Sequence, residues 1–214
     1  MTLIMSAELG GVMVAMTCDT RQALMIGGQF VPYSDAKTPK IGRITPYCIF
    51  GGGGENKTVR TIKERLIKRK GDTEYVSELV KPFEEAIQQV SPSAIVQITI
   101  SGFNENGTTG VITYDSDSCE VHYTEQKIGE QDSRAIAPSY DELNAIISTV
   151  KFPKVKDLSE FPNATLSYLS GVQAANFEVN PKAVSEICHY CIIYRDPKSG
   201  KFTLYEGSLN IDEE

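Results

Sequence analysis

Apolar residues in the first part of the chain come in short runs broken by glycines, a pattern that predicts β-strands. Residues 2–7 and 11–17 predict two strands joined by a turn at Gly10-Gly11. Residues 23–31 form a third apolar run, which Gly27-Gly28 interrupts, and we interpret it as one bulged strand. The chain therefore opens as β-structure.

Two more short strands and two helices follow. A polar loop leads to predicted strands at 40–44 and 47–50, the second of which ends in the run Gly51-Gly52-Gly53-Gly54. Apolar residues then recur at helical spacing in 56–70 and 73–90, which predicts two amphipathic helices. The basic side chains of the first helix have no aromatic residues between them, so we interpret them as a solvated face rather than a nucleic-acid surface.

A second β-rich section comes next. Residues 94–103 and 110–114 flank Asn104-Glu105-Asn106-Gly107, which predicts a hairpin, and 120–127 predict a third strand. Residues 129–162 have the least regular pattern, and we interpret them as a surface insertion.

The last part of the chain predicts helices and one strand. A short amphipathic helix fits residues 139–150, and two further helices fit 164–177 and 181–194. Asn180-Pro181 supports the start of the last helix, because Asn is a good N-cap and Pro suits the first helical position. A final strand is predicted at 201–205.

The order of the elements indicates the fold class. Strands, two helices, strands, two helices and a strand predict an α+β protein in which sheets pack on each other with helices outside. A length of 214 residues fits a single domain spanning 1–214, with an insertion expected at about 115–160.

Composition narrows the class of partner and the compartment. The formal net charge of −7 argues against general nucleic-acid binding. Five cysteines form no disulfide framework, which favours a reducing, cytoplasmic location. No apolar run is long enough for a membrane span, and the start does not fit a signal peptide. The single Cys188-x-x-Cys191 pair predicts small buried side chains rather than a zinc site, and no cofactor is expected.

A Thr directly follows Met1, and removal of Met1 would leave it at the chain terminus. A terminal Thr carries a nucleophile and a base on one residue. Its hydroxyl can attack a carbonyl while its α-amine, with a pKa of roughly 7.7–8.0, takes the proton. Thr2 is therefore a candidate nucleophile, although a small residue at position 2 is also common without any function.

The order of several short motifs resembles the proteasome β-subunit family of N-terminal nucleophile hydrolases, which includes simpler bacterial and archaeal homologues. The motifs are the start at Thr2 leading into Gly11-Val12-Met13-Val14-Ala15, then Asp19-Thr20-Arg21, Lys40-Ile41-Gly42-Arg43-Ile44-Thr45-Pro46-Tyr47 with the glycine run, Ser170-Gly171, and Arg195-Asp196-Pro197-Lys198-Ser199-Gly200. The resemblance implies a four-layer αββα sandwich of two antiparallel sheets flanked by helix pairs. It also implies that the terminal Thr lies in the cleft between the two sheets.

The resemblance also implies roles for individual residues. Thr2 would be the nucleophile, and Lys40, held by Asp19, would lower the cost of forming its alkoxide. Lys37 is an alternative to Lys40, because the spacing from Asp19 to Lys40 is longer than is usual in the family. The simpler interpretation of Asp19 and Lys40 is a loop acid and an exposed lysine.

Other residues would complete the site. Gly52 and Gly53 would aim main-chain N–H groups at a developing oxyanion, with a flexible loop as the alternative. Three further residues would orient the terminal amine and a water, with helix capping and an ordinary turn as the alternative interpretation. These residues are Ser170, Asp196 and Ser199.

The function implied is a threonine-type peptidase that cleaves peptide or protein substrates through an acyl-enzyme and assembles into a homo-oligomeric ring. The sequence does not identify an ATPase partner. If an amine replaces water, the same acyl-enzyme gives transpeptidation, as in connectase-type ligases. A non-catalytic scaffold or assembly protein with this fold is the alternative from another class.

Overall fold

Twelve strands and four α-helices make up the described part of the chain in the computed structural model. The residues described are 2–27, 29–34, 39–88, 90–91, 93–137 and 139–211. The strands are β1 Ile4–Leu9, β2 Met13–Asp19, β3 Gln22–Ile26, β4 Gln29–Ser34, β5 Ile41–Thr45, β6 Cys48–Gly54, β7 Val96–Phe103, β8 Thr109–Asp115, β9 Glu120–Gln126, β10 Gln131–Ile136, β11 Ile187–Arg195 and β12 Phe202–Asn210. The helices are α1 Asn56–Arg69, α2 Val80–Ile87, α3 Tyr140–Thr149 and α4 Phe161–Val179, and short 3₁₀ turns at Val76–Leu79 and Leu158–Glu160 precede α2 and α4.

Two antiparallel five-stranded sheets form the centre of the molecule. The first sheet has the order β10-β1-β2-β11-β12 and the second the order β5-β6-β7-β8-β9, while β3 and β4 form a separate hairpin. The predicted α+β class with two antiparallel sheets is confirmed.

Three apolar layers hold these elements together. The first sheet packs on α3 and α4 through residues such as Leu3, Met13 and Leu169. The second sheet packs on α1 and α2, where the fully buried Ile62 and Leu66 form the apolar stripe of α1. A third layer lies between the two sheets. Each sheet thus buries one face against helices and the other against its partner sheet, which gives the four layers that were expected.

The layer between the sheets has an apolar half and a polar half. The apolar half contains the buried residues Ile4, Val14, Met16, Cys18, Ile41, Ile49, Phe103, Cys191 and Ile193. Side chains alternate along a strand, so the residues that share a face with Ile4 on β1 and with Phe103 on β7 also point between the sheets. Several of these residues are buried and polar. Thr109 on β8, which pairs with Phe103, and Gln126 on β9, which pairs with Thr109, point the same way. The buried polar residues of this half are Ser6, Glu8, Thr99, Ser101, Thr109 and Gln126. A 2.6 Å hydrogen bond from Ser101 Oγ to Glu8 Oε1 crosses the gap.

The helix predicted at 181–194 is wrong, because most of this segment is strand β11. Pro181 lies in a turn in which the N–H groups of Ala183 and Val184 donate to the carbonyl of Asn180. The residues that follow are rich in β-branched and aromatic types, and β11 pairs with β2 along its length. Burial in the middle of a sheet therefore outweighs the helix-start signal.

The single bulged strand predicted at 23–31 is also wrong, because the chain reverses within it. β3 and β4 pair as an antiparallel hairpin, with Ile26 opposite Gln29. Gly27 has a φ of 58°, a backbone conformation that suits glycine at a tight turn. Gly27 thus marks a turn rather than a bulge, and Gly28 lies outside the described residues.

The interpretation of residues 129–162 as a surface insertion needs a correction. Strand β10 pairs along the whole of β1, from Ile4 opposite Ile136 to Leu9 opposite Gln131. This segment therefore forms an edge of the first sheet, and α3 belongs to the helix layer above it. Within the described residues, no helix has the combination of length and apolarity that a membrane crossing requires.

Candidate active site

Thr2 lies immediately before β1, at one end of the layer between the sheets. Its side chain shares the face of Ile4, and the residue is only 5% exposed. It lines a cleft of about 810 Å³, whose walls come from both sheets and from the start of α3. A hydroxyl at this position faces a space large enough for a peptide segment.

The glycine run of β6 passes directly opposite Thr2. A Cβ atom built on Gly53 would lie 3.5 Å from Thr2 Cβ and 2.9 Å from Ile136 Cγ2. Because Gly53 has no side chain, its main chain approaches Thr2 closely. Gly53 is therefore the member of the run that the structure places beside the candidate nucleophile.

Gly52, the other predicted oxyanion residue, has a different environment. Its N–H donates to the carbonyl of Lys40 at 3.2 Å, and a Cβ at this position would lie 2.4 Å from Val59 Cγ1 on α1. Its amide is thus already bonded, and its missing side chain lets α1 pack on the sheet. The run is strand rather than the flexible loop considered as an alternative, and only Gly54, with a φ of 99°, leaves the extended conformation.

A buried ion pair is hydrogen-bonded to the main chain of Leu3, the residue that follows Thr2. Asp19 Oδ1 accepts the N–H of Leu3 at 2.8 Å and the Nζ of Lys40 at 2.9 Å, and its other oxygen accepts the N–H of Arg21 at 2.8 Å. The side chains of Asp19 and Lys40 are 0% and 7% exposed. The Lys40 ammonium is therefore two hydrogen bonds away from the amide that follows Thr2.

The electrostatics of this pair follow from its burial. Removal from water raises the pKa of the Asp19 carboxyl above its usual value, and the Lys40 ammonium and the two main-chain donors oppose that rise. Lys40 Nζ also donates to the carbonyl of Arg21 at 2.5 Å. The ammonium is held at a fixed position, where a charge acts strongly because water does not screen it.

A second polar network lies beside Asp19 and was not predicted from the sequence. Thr20 N donates to Ser185 Oγ at 2.9 Å, and the two hydroxyls are 2.9 Å apart. Ser185 Oγ donates to the carbonyl of Ile187, and Gln173 Nε2 donates to the carbonyls of Ser185 and Ile187 at 3.2 and 3.0 Å. Arg21 also contacts this segment through Glu186 at 3.1 Å. The turn before β11 is thereby fixed against the Asp19 end of β2.

Ser185 had no sequence signal that would have identified it. It stands between Val184 and Glu186, in the segment 181–194 for which the sequence pattern wrongly predicts a helix. Thr20 is the central residue of the Asp-Thr-Arg motif, and the motif by itself does not indicate a role for its hydroxyl. Recognition of β11 as a strand would have placed the turn before it next to Asp19.

Three predicted residues are not brought to Thr2. Ser170 lies within α4, where its hydroxyl bonds to the carbonyl of Ser167. Asp196 and Ser199 form an exposed turn between β11 and β12, in which Ser199 Oγ donates to Asp196 Oδ2 at 2.8 Å. Because Tyr194 pairs with Met13, this turn lies past the far end of β2, about 20 Å along the strand from Asp19.

These three residues have the ordinary structural roles that were the alternative interpretation of the sequence. Asp-Pro-Lys-Ser-Gly is a good turn sequence, and it forms the hairpin turn. The roles assigned to Ser170, Asp196 and Ser199 in orienting the amine and the water do not fit their positions. Lys37 and Met1 lie outside the described residues.

The layer order, the sheet topology and the position of Thr2 between the sheets define the proteasome-type fold of N-terminal nucleophile hydrolases. One solved structure to which the chain is similar is the Anbu (Gly-1) mutant from Hyphomicrobium sp. strain MC1, with a TM-score of 0.64. The alignment covers 100% of this chain and 89% of that chain at 11% sequence identity. Anbu is a proteasome-like N-terminal nucleophile hydrolase.

The similarity is confined to the fold. No protein-family model matches the chain, and no curated protein matches it. The resemblance inferred from the short motifs is confirmed at the level of the fold, while the chemistry rests on the residues around Thr2.

Proposed function

We propose that the protein is a threonine-type N-terminal hydrolase that cleaves peptide bonds through an acyl-enzyme formed on Thr2. The observation that carries this proposal is the position of Thr2 in the cleft between the sheets, next in the chain to Leu3, whose N–H donates to the buried Asp19–Lys40 pair. A buried ion pair is a poor source of stability, because desolvation offsets most of its attraction. Its place beside a cleft-lining hydroxyl is better explained by chemistry.

The chain's own residues supply each step. Once Met1 is removed, the α-amine of Thr2 accepts the proton of the hydroxyl as its Oγ attacks the substrate carbonyl. The Lys40 ammonium stabilises the negative charge that develops on Oγ, and Asp19 holds that ammonium in place. The main chain of Gly53 lies close to Thr2, so the oxyanion would form between Thr2 and this part of β6. The amine part of the substrate leaves with the proton, and an ester on Thr2 remains.

The fate of the ester defines the reaction class. Water gives hydrolysis, whereas the amine of a second peptide gives transpeptidation. Both outcomes use the same acyl-enzyme, and they differ only in which nucleophile reaches it.

The first test is the intact mass of the purified protein before and after treatment with a peptide epoxyketone, a probe that reacts with terminal Thr. We expect loss of Met1 and one covalent adduct, and we expect Thr2→Ala to form no adduct. Thr203→Ala, which changes an exposed threonine of β12, should react like the unchanged protein. A processed protein that forms no adduct would contradict the proposal and favour a non-catalytic scaffold.

A second measurement separates hydrolysis from ligation. A cleavable peptide is incubated with the protein, with and without an excess of an acceptor peptide that has a free amine. The products are identified and quantified by mass spectrometry. A ligated product that grows with acceptor concentration at the expense of the hydrolysed product identifies transpeptidation.

We also propose that the protein assembles into a homo-oligomeric ring, in keeping with the resemblance to proteasome subunits. In such a ring, the clefts face a shared interior that limits access to unfolded chains. The molar mass from light scattering coupled to size-exclusion chromatography tests this directly. A mass that equals one chain of 23.5 kDa at all concentrations would exclude the ring.

A further inference from the structure

The floor of the cleft contains a row of residues that leads away from Thr2 across the second sheet. Gly53 on β6 pairs with Gln97 on β7, and Gln97 pairs with Asp115 on β8. Neighbouring strands in a sheet are about 5 Å apart, so Asp115 lies about 10 Å from Gly53, the residue opposite Thr2. The row runs along the cleft, because Gln97 and Asp115 line the cleft and Gly53 faces Thr2.

Asp115 is held in one orientation by its neighbours. Its Oδ2 accepts the amide of Gln97 at 2.6 Å, and its Oδ1 accepts the N–H of Asp117 at 2.9 Å. Both donors are neutral, so within the described part of the chain no positive charge offsets the negative charge of the Asp115 carboxylate.

The cleft as a whole is acidic. Glu55 and Asp117 line it together with Asp115, and no Lys, Arg or His is among its described lining residues. None of the three carboxylates forms an ion pair with another described residue. A cationic group that enters this space meets three unpaired anions, whereas an anionic group is repelled.

A smaller cavity of about 140 Å³ continues from the cleft and shares Asp115, Gln97 and Tyr140 with it. Thr99 lines this cavity, and its hydroxyl is buried without a hydrogen-bond partner in the described part of the structure. An orphaned buried hydroxyl is costly, and a polar ligand group would satisfy it.

Arg134 and His122 also line the small cavity, and each lies beside a carboxylate. Arg134 lies 2.8 Å from Asp132, and His122 lies 3.3 Å from Glu120. The charge of Arg134 is therefore offset locally by Asp132, while the charge of Asp115 has no cation beside it among the described residues.

We propose that this cleft selects a lysine or arginine side chain next to the scissile bond of the peptide substrate, and that Asp115 is the main specificity-determining residue. The proposal rests on the proposed acyl-enzyme function of Thr2. With the reacting carbonyl at Thr2, over Gly53, only a long side chain spans the two strand spacings to Asp115. Its charged end meets the Asp115 carboxylate and donates to Thr99 Oγ1 in the small cavity.

The test compares three epoxyketone peptides that differ only in the residue next to the reactive group: arginine, leucine or glutamate. The second-order rate of Thr2 labelling is measured by mass spectrometry. We expect the arginine probe to label at least about tenfold faster than the leucine probe and the glutamate probe to be slowest, with a preference that weakens at high salt. Asp115→Asn should remove most of the arginine preference, and Asp115→Lys should reverse it in favour of glutamate.

A matched control and a binding measurement make the outcomes separable. Asp72→Asn changes an exposed acid outside the cleft and should leave all three rates unchanged. If no probe labels Thr2, the proposed function fails; if all three label at equal rates, or glutamate is fastest, the specificity inference fails and the function stands. Binding of an arginine peptide to Thr2→Ala, followed by fluorescence anisotropy, does not depend on reactivity. Unchanged binding after Asp115→Lys in that background would overturn the inference.

Discussion

At the scale of single residues, Asp19 and Lys40 carry most of the argument. The sequence suggested them only through a resemblance, and the simpler interpretation was a loop acid and an exposed lysine. Their near-complete burial and the hydrogen bond from Asp19 to the Leu3 amide exclude that interpretation. The pair is costly to bury, so its removal has consequences for both stability and activity.

Lys40→Met is expected to destabilise the protein by about 3–5 kcal/mol, because it leaves the Asp19 carboxylate buried without its cation. The same change should lower the rate of Thr2 labelling by at least about a hundredfold, since the charge beside the hydroxyl is lost. Urea unfolding and probe labelling measure the two effects.

A matched set of variants distinguishes charge from packing. Adding Asp19→Asn to Lys40→Met should restore part of the stability but none of the labelling, because it removes the unpaired charge without returning the ammonium. Lys37→Met tests the alternative lysine. A loss of labelling in Lys37→Met that equals the loss in Lys40→Met would show that Lys40 was assigned incorrectly.

Glu8 is a second buried acid, and it makes stability depend on pH. Burial between the sheets raises its pKa from 4.5 to about 7, although hydrogen bonds from Ser101 and Ser6 act in the opposite direction. Between those two values the folded state holds a proton that the unfolded state has released. The stabilising effect is complete below pH 4.5 and is lost as the pH rises through 7.

Glu8→Gln should therefore be more stable than the unchanged protein at pH 8, by up to about 3 kcal/mol, and nearly equal to it at pH 4.5. The amide is neutral at both pH values and keeps the hydrogen-bonding shape. Free energies of unfolding in urea at the two pH values give the comparison. Glu84→Gln, on the exposed face of α2, should show no such pH dependence.

At the scale of secondary-structure elements, local signals were reliable where burial and turn chemistry agreed. Gly10-Gly11 and the Asn104–Gly107 segment marked real hairpins, and the apolar stripe of α1 was visible from its spacing. The helix prediction after Asn180-Pro181 was wrong because Asn180 accepts main-chain N–H groups in a turn and not at the start of a helix. The strand that follows is specified by its pairing with β2, a long-range contact that no local pattern contains.

The glycine run of β6 gives a prediction about how an element packs. Gly52→Ala should destabilise the protein by about 1–3 kcal/mol, because its Cβ would lie 2.4 Å from Val59 Cγ1 and would push α1 away from the sheet. Val59→Ala in the same chain should relieve most of that cost, so the two changes are not additive. Thermal or urea unfolding of the single and double variants measures the coupling.

Gly171→Ala is the control for this experiment. Gly171 lies in α4, where a Cβ would meet only Val150 Cγ1 at an ordinary 3.6 Å. Alanine favours a helix interior over glycine by roughly 0.5–1 kcal/mol, so this variant should be neutral or slightly more stable. Equal destabilisation by Gly52→Ala and Gly171→Ala would contradict the packing explanation.

At the scale of the whole molecule, the sequence predicted the layer order because alternating strand and helix groups leave few ways to bury every apolar face. The composition of the layer between the sheets was not predictable, since it depends on which strands face each other. The prediction that Asp196 and Ser199 lie beside Thr2 did not match the structure for the same reason, because their position depends on the order of the strands. A motif gives the local turn, and only the sheet order shows at which end of the molecule it lies.

The reactivity of the cysteine thiols shows whether these layers are closed, because four of the five cysteines are buried in them. Cys48 lies in the layer under α1 and α2, Cys18 and Cys191 lie between the sheets, and Cys188 is buried beside Cys18. Burial raises the pKa of the Cys18, Cys48 and Cys191 thiols to about 12, so they are unreactive in the folded protein. Cys119 is exposed.

Titration of the native, reduced protein with Ellman's reagent should therefore modify one thiol quickly. The remaining four should react only as the protein unfolds in urea, along the same curve as circular dichroism. Cys119→Ser should lack the fast reaction. Rapid modification of two or more thiols in the native protein would show that a layer opens more readily than its packing indicates.

The divided layer between the sheets has a consequence for motion. Separating the polar half exposes hydroxyl and carboxyl groups that water can solvate, whereas separating the apolar half exposes hydrocarbon. The two sheets should therefore separate more easily at the polar half than at the apolar half. The apolar half around Val14, Ile49 and Ile193 acts as the hinge, and the edge strands β9 and β10 move apart at the opening side. That opening side adjoins the cleft of Thr2, because Ile136 of β10 forms part of its wall. The same division that weakens one half of the interior would let a polypeptide too bulky for the closed cleft reach the nucleophile.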